Sequence, residues 1–183
     1  INAMSTKLID ITKQLKTFLR STTSSILLQE TNGISGTSII EAHIEKRRIE
    51  TDPSGMIRLH EVTGNDANCI NIVHIAVAEK NRRKGLFSDF LELLEGFEFG
   101  AYLENCPEIT IRIDKVMNPV LDACLPKKGY ARVQSENDVH YSYQKLVWRN
   151  MDTPFKPGRQ DDISPDLAAA QPLLDRDAFH ISR

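Results

Sequence analysis

Apolar residues recur along this chain in two periods, and the switches between them mark its elements. Leu8, Ile9, Ile11, Leu15, Phe18 and Leu19 fall three or four residues apart with Lys7, Lys13 and Lys16 between them, which predicts an amphipathic helix over 5–20 with Ser5 as its N-cap. Period two takes over at 25–30 and again at 37–49, where Ile40, Ala42 and Ile44 face one way and Glu41, His43 and Glu45 the other. Asn32, Gly33 and Gly36 mark the loop between these strands. The turn Asp52-Pro53-Ser54-Gly55 predicts a hairpin with its second arm at 56–62, and after another turn 69–77 is an apolar, β-branched strand. Helical spacing returns at 86–97, with Phe87, Phe90, Leu91, Leu94 and Phe97 on one face and Asp89, Glu92 and Glu95 opposite. Residues 108–113 read as a strand, and Asn118 and Pro119 open a short helix whose buried stripe is Met117, Val120, Leu121, Cys124 and Leu125. Gly129 fits its C-terminal cap, and Pro126 predicts that it ends early or tightens. Strands at 131–134 and 140–147 complete an α-β-β-β-β-α-β-α-β-β order. That order is an α/β (α+β) fold, a mixed, mostly antiparallel central sheet flanked by helices, with an N-terminal helix and an extended C-terminal tail.

With 183 residues, 40% hydrophobic and 26% charged, the chain suits one ordinary globular domain, set here at 1–149, with an extension at 150–183. Ile1-Asn2-Ala3 ahead of Met4 reads as a cloning remnant. Four of the eight prolines lie in 150–183, where Leu167, Leu173, Leu174 and Phe179 are the expected anchors onto the domain or a neighbouring subunit, giving a homodimer in the second case. A net charge of −2 offers no bulk attraction to nucleic acid or membrane, so any anionic partner is held locally. Basic residues cluster only at 46–48 and 82–84, without aromatic interleaving, and no nucleic-acid partner is expected. No apolar run approaches the roughly 18 residues of a membrane span, no signal-peptide pattern opens the chain, and the expected location is cytoplasmic. Cys69, Cys106 and Cys124 are widely spaced without a CxxC pair, which argues for reduced, packed thiols over a disulfide framework or a zinc site; no metal is expected.

The candidate chemistry sits at 72–97, where an apolar strand, a basic glycine-ended turn and a helix follow one another. A helix that starts at such a turn aims unpaired N–H groups and its positive dipole end at whatever lies beside it. With Arg82, Arg83 and Lys84 alongside, the place suits a phosphate. This strand–turn–helix, with Arg82-Arg83-Lys84-Gly85-Leu86-Phe87, resembles the Arg/Gln-x-x-Gly-x-Gly/Ala motif of the GNAT N-acyltransferases. A second segment, 117–130 with Asn118, Gly129 and Tyr130, resembles the family's later Asn-to-Gly-Phe/Tyr helix, and the likeness covers roughly 37–147.

The resemblance implies direct transfer of an acyl group from acetyl-CoA to an amine-bearing small molecule or protein. Arg82, Arg83, Lys84, Gly85, Leu86, Phe87 and Ser88 would receive the pyrophosphate, the strand backbone at Ile75, Ala76 and Val77 the pantetheine arm, and amides near Ala76 and Val77 the oxyanion, with Asn118 completing the site. Candidates to receive the amine proton are His74 and then His60, Glu61, Asn71 (through water) and His43, with Tyr130, Tyr141 or Tyr143 as replacement acids. Three departures stand against the pattern. Phe87 replaces a small residue, and its place in the apolar stripe predicts that its ring turns into the core. Leu125 occupies the family's tyrosine position seven residues after Asn118. Residues 31–36 are too few for the two helices that usually wall the acceptor site. A catalytically weak GNAT-fold module that binds acyl-CoA for regulation or assembly is the alternative.

Overall fold

The computed structural model of the protein describes residues 8–62, 66–103, 106–133 and 140–150. Ser5, and the anchors expected in the extension, lie outside the described residues. The elements are α1 (Ile9–Arg20), β1 (Ser25–Thr31), β2 (Ser38–Thr51), β3 (Ile57–Glu61), β4 (Cys69–Val77), α2 (Leu86–Glu95), β5 (Glu108–Ile113), α3 (Pro119–Cys124), β6 (Ala131–Val133) and β7 (Ser142–Arg149). Pro126 acts as the sequence predicts: α3 stops at Cys124 and a single tighter turn, Pro126–Lys128, leads to Gly129 at φ 86°. Among the described residues no helix is long and apolar enough to cross a membrane.

The strands form one seven-stranded sheet in the order β1-β2-β4-β5-β7-β6. Every pairing is antiparallel except β4 with β5. The 14-residue β2 is its spine. Arg47 pairs with Cys69 of β4 and Glu61 of β3, so those strands lie on opposite edges of β2, and β3 continues the edge that β1 occupies.

The two faces of the sheet differ. Ile40, Ala42, Ile44, Ile70, Ile72, Ile109, Ile111 and Ile113 share one face and are buried in a single core with Ile11, Leu15 and Phe18 of α1 and Phe90, Leu91 and Leu94 of α2. The parallel steps β4-α2-β5 and β5-α3-β6 move in the same direction across the sheet, and right-handed crossovers then put both helices on one face. Side chains agree: Lys145, opposite Ile111, reaches Glu95 of α2 at 3.3 Å, and Tyr143, opposite Ile113, donates to Asp122 of α3. The other face carries Glu41, His43, Glu45, Asn71, His74, Arg112 and Gln144, and no helix among the described residues packs on it.

Lys46 is the exception on the apolar face. It is 1% exposed, and its Nζ donates to the carbonyls of Phe18 (3.1 Å) and Ser21 (2.6 Å), tying down the end of α1 while burial pulls its pKa below the ordinary lysine value. Its methylenes pack in the core as those of Leu or Met would, with the charge delivered to the Phe18 carbonyl, which also accepts from Ser21, and to the Ser21 carbonyl. Lys46→Met keeps the packing and removes the donor to the Ser21 carbonyl, while Phe18 keeps its bonds from Ser21. The expected outcome is a loss of about 1–3 kcal/mol in denaturant-measured stability.

Candidate active site

β4 and β5 part company halfway along β4. Their parallel ladder joins Cys69, Ile70, Asn71 and Ile72 to Thr110, Ile111, Arg112 and Ile113, and the last rung is Asp114 N–H to the Ile72 carbonyl at 2.9 Å. Beyond it β4 runs on through residues 73–77 with β2 alone beside it. At the parting His43 pairs with His74 and Ile44 with Ile72, which leaves Val73 as a β-bulge. Ala78 N–H donates to the Ile39 carbonyl at 3.0 Å, so Ile40 and Val77 form a non-hydrogen-bonded pair. Val77, and Ile75 two residues earlier, therefore turn their N–H and C=O groups away from β2 and into the opening. The Ala76 amide, placed beside the ligand by the sequence reading, belongs to the β2 ladder instead.

The basic turn lies at the same end of β4. Asn81 N–H donates to the Ala78 carbonyl (2.8 Å) and Arg82 N–H to Glu79 (3.2 Å); the next paired amide is Asp89, bonded to Gly85 at 2.9 Å. Among the described residues nothing accepts from the main-chain N–H groups of 83–88. φ is +62° at Arg83 and +76° at Gly85, turn conformations of the kind that gather successive N–H groups into an anion-binding nest. Gly85 at the N-cap of α2 offers no side chain to cap it. Arg82, Arg83 and Lys84 are exposed around the nest, with Arg82 Nε donating to the Val77 carbonyl at 3.3 Å and Lys84 Nζ to Asn81 Oδ1 at 3.4 Å. Leu86 is buried, Ser88 is half-buried, and Phe87 packs against the core, so its ring leaves the nest open.

The remaining candidates separate. Asn71 is buried on the helix-free face, its Nδ2 donating to Glu45 Oε2 at 3.4 Å, while His74 is exposed directly opposite His43. The bulge puts Asn71 and His74 on the same face as His43, at the mouth of the opening. His60 and Glu61 lie on β3, with His60 3.3 Å from Glu50, and that stretch borders the far end of β2. Asn118 caps α3, its Oδ1 accepting from Val120 N–H at 2.9 Å. Met117 and Val120, expected in the buried stripe, are 72% and 73% exposed. The physical reason is length: α3 has six residues, and Leu121 and Leu125, one turn apart, suffice to seat it.

Tyr130 is corrected outright. It is fully buried, its hydroxyl donates to Glu95 Oε1 at 3.0 Å on the helix-covered face, and burial, then the Glu95 charge, push its pKa far up. A hydroxyl so held does not serve as an acid at the opening. Leu125 is also fully buried. Cys69 and Cys106 are buried thiols, raised by burial to about 12 and about 11. The sequence reading missed the bulge at Val73, because the strand is a continuous run of apolar residues there and carries no turn signal.

No protein-family model matches the sequence, and no curated protein matches it. Solved structures do: an acetyltransferase from Thermus thermophilus is 15% identical, with 74% of this chain and 71% of that chain covered and a TM-score of 0.43. Arabidopsis thaliana NAA60 in complex with acetyl-CoA is 11% identical over 76% and 93% with a TM-score of 0.41, and the KacTA–DNA complex 10% identical over 74% and 80% with a TM-score of 0.46. Acetyltransferases of the GNAT family are among the matches. At these TM-scores the superpositions are partial, and what the chain can do is read from its own geometry.

Replacing Tyr130 by Phe separates a structural from a catalytic hydroxyl. The expected result is a loss of about 1 kcal/mol of stability from the missing bond to Glu95, read by chemical denaturation, without the roughly 100-fold or greater rate loss that removing a general acid brings.

Proposed function

We propose that the chain is a GNAT-type N-acyltransferase that transfers the acetyl group of acetyl-CoA to an amine by direct attack. The observation that carries this reading is the meeting, at one end of β4, of the unpaired N–H groups of 83–88 with the Ile75 main chain and the Val77 N–H, which β5 leaves without a strand partner. The first set matches a diphosphate, in charge and in hydrogen-bond sense. The second matches the amides of a pantetheine arm lying where β5 has withdrawn. Phe87 packs away from the nest, and the three basic side chains add long-range attraction that salt weakens.

The acceptor amine must lose a proton, because an alkylamine with pKa of about 10.4 is almost fully charged at neutral pH. His74 is the proposed proton acceptor, with His43 across the ladder and Asn71 placed to orient a water. Whichever of the Ile75 and Val77 N–H groups the pantetheine amides leave free is the proposed donor to the developing oxyanion. The departing thiolate, pKa about 8.5, leaves tolerably without an acid. A slow enzyme, or a module that binds acyl-CoA without turning it over, is the second reading, favoured by Leu125 in the family's tyrosine position and by the engaged Tyr130 hydroxyl.

Calorimetric titration with acetyl-CoA tests the donor site. Binding by the native chain, weakened about tenfold or more in Gly85→Val, is expected, since φ of +76° strains a β-branched residue and no side-chain contact is removed. No binding by the native chain refutes both readings. Free-thiol release over an amine panel then divides them: release with any acceptor identifies the enzyme, and binding without release identifies the module.

A further inference from the structure

One edge of the sheet is left open where β7 runs past β6. β7 pairs with β5 from Tyr143 to Arg149 but with β6 only at Ser142, Tyr143 and Gln144. From Leu146 to Arg149 no strand among the described residues lies on the side away from β5. Asn150 N–H donates to the Pro107 carbonyl at 2.8 Å, so Arg149, one residue earlier in an antiparallel ladder, turns its N–H and C=O outward. A bulge at Val147 bends the strand in the middle of this stretch, and Leu146 is 45% exposed. An unpaired edge that shows apolar side chains is a template for one more strand, and folded proteins ordinarily cover it.

An open cleft of about 270 Å³ follows the same four residues, Leu146, Val147, Trp148 and Arg149. Its wall is fixed in advance. The Trp148 ring is seated on Gly100, where a Cβ would stand 2.6 Å from Cζ2, and Arg149 Nη2 lies 3.5 Å from Glu108 Oε2. A cavity of about 150 Å³ accepts a benzene ring. The cleft therefore has room for one aromatic side chain set against Trp148.

The chain itself supplies such a side chain on a segment able to pair. β7 is the last element among the described residues, and 151–183 follow it. Pro154, Pro157, Pro165 and Pro172 divide that stretch, and a proline cannot donate to a ladder, which leaves 173–183 as its longest proline-free run. Phe179 and Ile181 alternate there with His180 and Ser182, the period of a strand. Residues 151–172 extend to about 70 Å, against roughly 13 Å for four residues of strand, so the run reaches the open edge in either direction. Phe155, the other aromatic residue of 151–183, sits between Pro154 and Pro157, which interrupt a ladder. We propose that 177–182 pair with the outward main chain of β7 in the same chain, as one more strand, with the Phe179 ring in the cleft. The proposal stands apart from the acyl-transfer reading.

Trp148 is the only tryptophan of the chain, so its fluorescence reads the cleft directly. The test uses the full chain, native and with Phe179→Ala, Phe179→Leu or Phe155→Ala, none of which alters the core of the described residues. Emission maximum, quenching by acrylamide, exchange of the Arg149 amide and sedimentation over a range of concentrations are recorded for each. The native chain is expected to be monomeric, with Trp148 shielded from acrylamide and Arg149 exchanging slowly. Phe179→Ala is expected to shift the emission to the red, raise the quenching and speed Arg149 exchange about tenfold or more. Phe179→Leu restores much of the shielding, and Phe155→Ala changes nothing. Equal quenching of Trp148 in the native and Phe179→Ala chains, or shielding removed by Phe155→Ala instead, overturns the proposal. So does fast exchange at Arg149 in the native chain, and so does shielding that is lost on dilution, which identifies a second copy as the occupant.

Discussion

Main-chain groups that the fold leaves unpaired are what the rest of this structure is arranged around. A buried strand ordinarily gives every N–H and C=O to its neighbours. β4 does so through Ile72 and then stops on one side, because β5 ends at Ile113 and turns away. Immediately afterwards the chain enters a turn, with positive φ at Arg83 and Gly85, that leaves the first residues of α2 without an internal acceptor. Everything needed to hold these groups open is supplied elsewhere. The Ile44–Ile72 and Ile72–Ile113 pairs fix the first half of β4, and Phe90, Leu91 and Leu94 lock α2 onto the sheet so that its N-terminus cannot relax toward the strand.

The two sides of the molecule are finished to different degrees. On the helix-covered face the core is continuous from α1 to Leu125, and even its polar members are tied, as with Lys46 to the end of α1 and Tyr130 to Glu95. On the opposite face the loop between β1 and β2 is too short to contribute a helix, and the charged row of β2 looks outward. The anion-suited turn is thus built from the backbone, while the opposite face presents side chains of the sheet itself.

Much of this was legible in the sequence. Period-two and helical stretches located every element to within a few residues because each buries one face, and a one-residue slip would have exposed Ile40, Ala42 and Ile44 together. The basic glycine-ended turn was legible because positive φ and an uncapped helix start demand particular residue types. The bulge at Val73 was not, since Ile72, Val73 and Ile75 satisfy either face of a strand and only the register against β2 decides. Tyr130 misled because spacing places a residue along a helix or turn but not on a face of the sheet, and the apolar face claimed it. Met117 and Val120 misled because helical periodicity does not announce that a helix ends after six residues.

The central claim is that the amides of 83–88, with those of Ile75 and Val77, are free in the isolated chain and become engaged by a diphosphate-bearing thioester. Residue-resolved amide hydrogen exchange, with and without saturating coenzyme A, measures this directly. The account predicts fast exchange at these positions, set against protected neighbours at Ile70, Ile72, Phe90 and Leu91, and strong protection once coenzyme A is added. Slow exchange at 83–88 before any ligand is present, or exchange there that coenzyme A leaves unchanged, would contradict it.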